Sequence, residues 1–351
     1  MRLKNKYLGA AAAVLMGVSW SAVAQAAGEL NLLTWEGYAD DSFVTQFEEE
    51  SGCKVSAAYV GSNDDFAAKL AAGGGVYDLI SPSIDTVGIM VQAGFVEPID
   101  ESKVDRFGEI YDVFKEAVKN AGEGDVYSVP FTWGSIPFMY RVDKFDTPPT
   151  SLDILWDESL KGKISLWDDK SALYVAARHN GDMNIYDLSD EQLEAAKQSL
   201  LEQKPLIRKY WATAGELVDL YAQGEVWISN TWGGYQSALL AEQGIEVKEF
   251  LPEERAEGWM DSWMVVKGTP NTDCAYKFIN MAISEQGQCG VANVNGYSVA
   301  NPVAAKKCMS AEQFSTLHQD DLEYVKTLMM WENLGERLEV YTNTWNAVKV
   351  Q

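Results

Sequence analysis

Residues 258 to 266 read "GWMDSWMVV", an aspartate between two tryptophans in a run apolar enough for a protein interior. In an extended strand side chains alternate faces, so Trp259, Asp261 and Trp263 share one side and Met260, Ser262 and Met264 the other. Such a carboxylate can accept backbone hydrogen bonds inside an aromatic core. Alternatively it grips an organic cation, because an ammonium is drawn to aromatic faces by roughly 0.5–2 kcal/mol each and to a carboxylate that the rings shield from water. The combination of aromatic residues with acids or small residues recurs along the chain. It is found in "TWEGY" (Trp35, Glu36, Tyr38), "FTWGS" (Trp133), "SLWDD" (Asp169), "SNTWGGY" (Trp232, Tyr235), "NGYSV" (Tyr297) and "MWENLG" (Glu332). Each segment alone reads as core packing more readily than as a site, since aromatics are mostly buried. Seven together in one acidic chain favour a box for an alkylammonium group.

Other chemistries have little to build on. The two histidines, His179 and His318, lie apart from any nucleophile or cysteine pattern, so a His-based triad or a His-rich zinc site is not expected. The glycines of "AAGGGVYD" precede a strand at a helix end, where glycine serves as a C-cap. Asp168 and Asp169 could serve a secreted glycosidase, but adjacent side chains point apart. The expectation is a binding protein with no catalytic residue, metal or cofactor.

These residues need strand ends to hold them. "ELNLLTW", "KVSAAYV" and "YDLISPS" read as strands, separated by the helices "DDSFVTQFEEESG", capped by Asp40 or Asp41 and ended by Gly52, and "SNDDFAAKLAAGGG". Alternating strands and helices imply parallel sheets with ligands at the carboxyl ends of the strands. Trp35, Glu36, Tyr38, Ser83 and Asp85 fall at such ends. A second α/β region begins near "SIPFMYRVDKF" and contains the strands "KISLW", "VWIS" and "GIEVKEFLP", with a helix "SDEQLEAAKQSLLEQ" started by a Ser189/Gln192 capping box. No internal repeat or long linker separates the two, so the chain should cross between lobes more than once.

The first 26 residues carry Arg2, Lys4 and Lys6, an apolar run from Tyr7 to Trp20, and small residues at Ala24 and Ala26. That pattern is a secretory leader cleaved before Ala27. With three of the 28 basic residues in the leader, 25 remain against 52 acidic ones, a formal −27. Such a surface repels nucleic acid and anionic lipid and attracts cations. In an oxidising compartment Cys53, Cys274, Cys289 and Cys308 read as structural disulfides. All three connectivities stay open, with Cys289 to Cys308 closing a short, readily accepted loop.

Across nearly the whole chain after the leader, the order "LTWEGY", "YDLISPS", "YSVPFTWG", "KGKISLWDD", "SNTWGG", "GWMDSW" and "NGYSVAN" resembles the periplasmic spermidine/putrescine-binding proteins of polyamine ABC importers. The resemblance implies an α/β, two-lobed periplasmic-binding-protein fold of type II-like form, its ligand cleft lying between lobes joined by crossover strands. It divides the chain into a leader (1–26), one lobe of 27–134 with 262–306, and a second of 135–261 with 307–351. It further implies a periplasmic monomer that takes a small cationic amine and hands it to a membrane permease. The family's ligand contacts carry over to Trp35, Tyr38, the Ser83 to Asp85 segment, Trp232, Trp259, Asp261 and Tyr297. Two positions depart from the family: Ala172 stands where a glutamate holds the distal amine, and Glu36 lies one residue early. Asp85 and Glu332 are the candidates to compensate. A receptor for another amine, such as a quaternary ammonium or an amino acid derivative, a sensory ligand-binding protein and a secreted hydrolase are the alternatives.

Overall fold

A computed structural model describes residues 28–73 and 76–351. The leader, its cleavage point and the glycine pair at 74–75 lie outside these residues. Twelve strands are present among them: β1 (Gly28–Thr34), β2 (Cys53–Tyr59), β3 (Leu79–Ile80), β4 (Val129–Ile136), β5 (Phe138–Arg141), β6 (Ile164–Trp167), β7 (Ile207–Trp211), β8 (Ile228–Asn230), β9 (Val247–Phe250), β10 (Glu257–Val265), β11 (Ser298–Val299) and β12 (Met329–Met330). They form two sheets. The larger runs β11-β4-β10-β3-β1-β2, with β12 alongside the start of β10, and the smaller runs β7-β6-β8-β5-β9. Helices pack against both sheets, giving two α/β lobes.

Local signals act where they were read. Asp40 accepts from the Ser42 N–H at 2.9 Å to start the helix Asp41–Ser51. Gly52 ends it at φ 73°, a left-handed conformation in which a side chain would be strained. Both halves of the Ser189/Gln192 capping box are formed. Strand β2, at the edge of its sheet, keeps a mixed burial pattern, whereas every residue of β10 is buried, since β10 is flanked by β4, β3 and β12.

The chain changes sheet at one residue. β4 ends at Ile136 and β5 begins at Phe138, with Pro137 between them. Proline has no N–H to give a ladder, so pairing breaks there and the strand direction is redirected. The chain returns over residues 251–256 to enter β10. The expected divisions after residues 134 and 261 therefore fall inside β4 and β10, both of which lie whole in the larger sheet. Antiparallel pairing from Glu257↔Ile136 to Trp263↔Val129, broken only by a register shift between Asp261 and Ser262, holds these two strands as one unit. The last helix, Leu338–Val350, buries Tyr341, Trp345 and Val348 in the core of the smaller-sheet lobe.

Two disulfides close the larger-sheet lobe, Cys53 to Cys274 and Cys289 to Cys308. The first joins residues 221 apart in sequence and ties β2 to the helix Thr272–Ala282.

Candidate ligand-binding site

A small cavity of about 20 Å3 lies where the lobes meet. Trp35 and Tyr38 reach it from the turn after β1, Ser83 from the segment after β3, and Ile136 from the end of β4. Trp259 and Asp261 come from β10 and Tyr297 from just before β11. Across the cleft, Trp167 closes β6 and Trp232 follows β8, while Trp331 follows β12. Of these ten lining residues seven are aromatic and one, Asp261, is charged.

Asp261 is only 4 % exposed. It stands opposite Thr132 of β4 and bridges to Ser83 on its other side, just before a register shift between Asp261 and Ser262. The Ser83 hydroxyl donates to Oδ1 and the Tyr38 hydroxyl to Oδ2, each at 2.5 Å. Tyr38 is in turn paired with the Thr132 hydroxyl at 2.6 Å. Both donors to the carboxylate are neutral. Burial therefore dominates and pushes the Asp261 carboxyl up to about 7, the two hydroxyls pulling against it and the charge of Asp85 adding to it. A bound cation would supply the missing countercharge.

Four of the five indoles are anchored by their N–H edges, and Trp232 Nε1 has no partner. Trp35 donates to the Ser81 carbonyl (2.9 Å), Trp259 to the Ser135 carbonyl (3.0 Å), Trp167 to the Gly61 carbonyl (2.8 Å) and Trp331 to Glu257 Oε2 (3.1 Å). Trp35, Trp167 and Trp232 meet edge to face with centroids 5.6–6.4 Å apart, and Trp331 stacks on Trp167 at 6.0 Å. Trp259 lies edge to face with Tyr297 at 4.8 Å. Its ring rests on Gly134, where a Cβ would come within 2.8 Å of the indole, so the residue beneath it must be glycine. The wall is apolar and rich in the ring faces that attract cations.

The lobes touch around this box. The Trp167 to Gly61 bond crosses the cleft, as does the Lys170 to Asp64 ion pair at 3.3 Å. A Cβ on Gly61 would lie 2.3 Å from the Ala212 carbonyl, and one on Gly234 would lie 3.1 Å from Gly296 Cα. These contacts describe a closed cleft.

Of the residues singled out in the sequence, the structure brings Trp35, Tyr38, Ser83, Trp232, Trp259, Asp261 and Tyr297 to the cavity. Six others do not line it. Asp85 and Asp169 are buried beside Lys170, whose ammonium acts on both; burial still raises Asp85 to about 6 and raises Asp169. A cation of the chain itself occupies their charge. Glu36 turns toward the Gly215 N–H, and burial raises its carboxyl. Trp133 hydrogen-bonds the Val299 carbonyl at 3.2 Å and faces a neighbouring cavity. Tyr235 starts the helix Tyr235–Glu242, and Glu332 borders another cavity with Tyr186 and Arg255. Trp263, expected beside Asp261, packs on Phe278 and Phe131 in the core, because the helix Thr272–Ala282 covers that part of β10. Ala172 is buried in the core of the smaller-sheet lobe and does not reach the cavity. Asp168 accepts from Trp345 and Lys349 at the far helix, leaving no pair of free acids for hydrolysis at this position. Among the described residues no group of three or more histidine, cysteine or acidic side chains is arranged for a metal.

Three lining residues were not singled out: Trp167, Trp331 and Ile136. Trp167 and Trp331 sit within "SLWDD" and "MWENLG", where the acids carry the plainer chemical signal. Ile136 carries no chemical signal.

Residues 42–317 match the model of the bacterial extracellular solute-binding proteins. The chain is 28% identical over 354 residues, 99% of each chain, to the spermidine/putrescine-binding periplasmic protein of Escherichia coli strain K12. It is 25% identical over 298 residues to the putrescine/cadaverine-binding protein of Pseudomonas aeruginosa, spanning 81% of this chain and 82% of that one. A crystal structure of the spermidine/putrescine ABC transporter substrate-binding protein of Streptococcus pneumoniae superposes with a TM-score of 0.73 at 26% identity, covering 92% of this chain and 99% of its own.

Proposed function

The chain belongs to the bacterial extracellular solute-binding proteins, and from that premise we propose that it captures a polyamine of the putrescine/spermidine class and delivers it to the permease of an ABC importer. The observation that carries the reading is Asp261, a buried carboxylate with neutral partners only, facing a box of seven aromatic residues in which no basic residue appears. Only a cation from outside gives such a group its countercharge. The likeness to polyamine-binding relatives over nearly full length supports the same ligand class.

In this reading the protein is a binding protein, not an enzyme, and works as a periplasmic monomer exported by its leader. The chain passes between the lobes at Pro137, over residues 251–256 and again between β12 and the last helix, and the ligand holds the lobes closed because its contacts come from both. A thermal-shift screen against putrescine, spermidine, cadaverine, choline and 4-aminobutyrate tests it. A bound ligand at 100 times its Kd adds about 2.7 kcal/mol of stability. A shift with the zwitterion alone, or with no amine, would overturn the polyamine reading.

A further inference from the structure

A second cavity of about 350 Å3 adjoins the first, and Trp232, Trp259 and Tyr297 line both. The partition is therefore made of side chains from the proposed binding box. Beyond it the wall repeats the same chemistry, aromatic rings (Trp133, Tyr324) and one carboxylate, Glu249. Glu249 sits on β9, the edge strand of the smaller sheet, opposite Met139 of β5. No lysine or arginine lines this cavity. Its histidine, His318, lies stacked on Tyr324 with its pKa lowered by burial, so it brings no fixed positive charge.

Most acids near the cleft are answered from within the chain. Lys170 is ion-paired with Asp64 and lies near Asp85 and Asp169, and Arg178 is ion-paired with Glu257. Glu249 takes part in none of the ion pairs among the described residues. The Ser237 hydroxyl hydrogen-bonds its carboxylate. Tyr297, the ring shared by the two cavities, feels the negative charges of both Asp261 and Glu249. Glu249 is exposed on the open side of this cavity, so the cavity wall around it, and not burial, sets it apart from other surface acids. One that borders an aromatic cavity, beyond a side-chain partition from an unpaired carboxylate, is placed to hold a second positive charge.

We propose that Glu249 anchors a second ammonium subsite, so that a polyamine lies with one end at Asp261, passes between Trp232, Trp259 and Tyr297, and sets a further charged nitrogen at Glu249. This rests on the amine-binding reading of the Asp261 cavity and adds to it the ligand's length and charge number. Spermidine affinity is measured by calorimetric titration of the full-length exported protein at 0.15 M salt, where the Debye length of about 8 Å limits remote charge effects. Glu249→Gln should weaken spermidine at least tenfold, and Glu249→Lys should weaken it further, with apo melting temperatures unchanged. Glu242→Lys, a charge reversal of an exposed helix residue, should leave affinity unchanged. A loss below tenfold in Glu249→Gln, a Glu249→Lys no worse than it, or an equal loss in Glu242→Lys would overturn the subsite. Failure of the wild type to bind spermidine would instead overturn the amine reading itself, and the subsite with it.

Discussion

Glu257 and Asp261 stand four residues apart on one strand, both buried, and they solve the same electrostatic problem in opposite ways. Glu257 is fully covered, yet Arg178 donates to its Oε1 at 2.6 Å and Trp331 to its Oε2 at 3.1 Å. Its charge is cancelled within the protein, and the pair ties the helix Ser171–His179 of one lobe to a strand of the other. Asp261 receives two hydroxyl bonds and no positive charge. A buried carboxylate with an internal cation is architecture; a buried carboxylate without one is an unmet demand that a ligand can fill. Asp85 and Asp169, with Lys170 beside them, fall in the first class despite their place near the cleft.

The sharpest way to break this contrast is to remove the internal cation. Arg178→Met should leave Glu257 as an uncompensated buried charge and destabilise the apo protein by about 3–5 kcal/mol. Chemical denaturation of the apo form measures it. A loss under about 1 kcal/mol would mean that Glu257 is stabilised by something other than Arg178, and the distinction between the two carboxylates would fail.

The matching change at the other carboxylate should act on binding instead. Asp261→Asn keeps the shape, and of the Ser83 and Tyr38 hydroxyls one can keep donating to the amide oxygen while the other turns to accept from the amide nitrogen, so the apo fold should persist with equal or greater stability. Amine binding should fall at least a hundredfold, equivalent to about 2.7 kcal/mol, because the enclosed ammonium loses its partner. The pH dependence sharpens the point. The folded carboxyl titrates near 7, above its ordinary value of 3.8, so its effect on apo stability is most favourable below about pH 4 and is lost as pH rises through about 7. Binding an amine, which keeps its proton below about pH 10, requires the ionised carboxylate. Affinity should therefore drop about tenfold per pH unit below 7, level off above it, and show release of one proton per ligand at pH 6. An Asp261→Asn protein with the same pH slope as the wild type would detach the titration from Asp261.

How far the sequence reveals these roles depends on the range of the interactions. Alternation along β10 was enough to pair Asp261 with Trp259, and the turn after β1 was enough to bring Trp35 and Tyr38 to a strand end, because both follow from backbone periodicity. The partner of Glu257 lies 79 residues away on a helix of the other lobe, and no local pattern marks it. For the same reason Asp169 looked free in "SLWDD": its neighbour Lys170 reads as a solvated lysine until the cleft is closed over it, leaving it 4 % exposed. Trp331 and Glu332 show the limit at a single step. Adjacent residues leave a strand end on opposite sides, and which of them meets the ligand is decided by the lobe across the cleft. Cys53 and Cys274, at a separation of 221, are paired by the packing of the helix Thr272–Ala282 against β1, which spacing cannot show.

The smallest effect asks whether the rings around Asp261 bind or merely enclose. Trp259 shares the strand face with Asp261, and its N–H bond to the Ser135 carbonyl fixes the ring's tilt. Trp259→Phe keeps an aromatic face but weakens its attraction for a cation and frees the Ser135 carbonyl, which lies near the second cavity and can turn to water there. The expected cost is about 0.5–1 kcal/mol in amine affinity, two- to fivefold, with apo stability lowered by no more than about 1–2 kcal/mol. If the ring contributes through its charge distribution, Trp259→Leu should weaken binding beyond Trp259→Phe although leucine fills the wall as well as phenylalanine does. Equal losses in the two variants, read by calorimetric titration, would make Trp259 a space-filling wall and leave Asp261 to hold the cation alone.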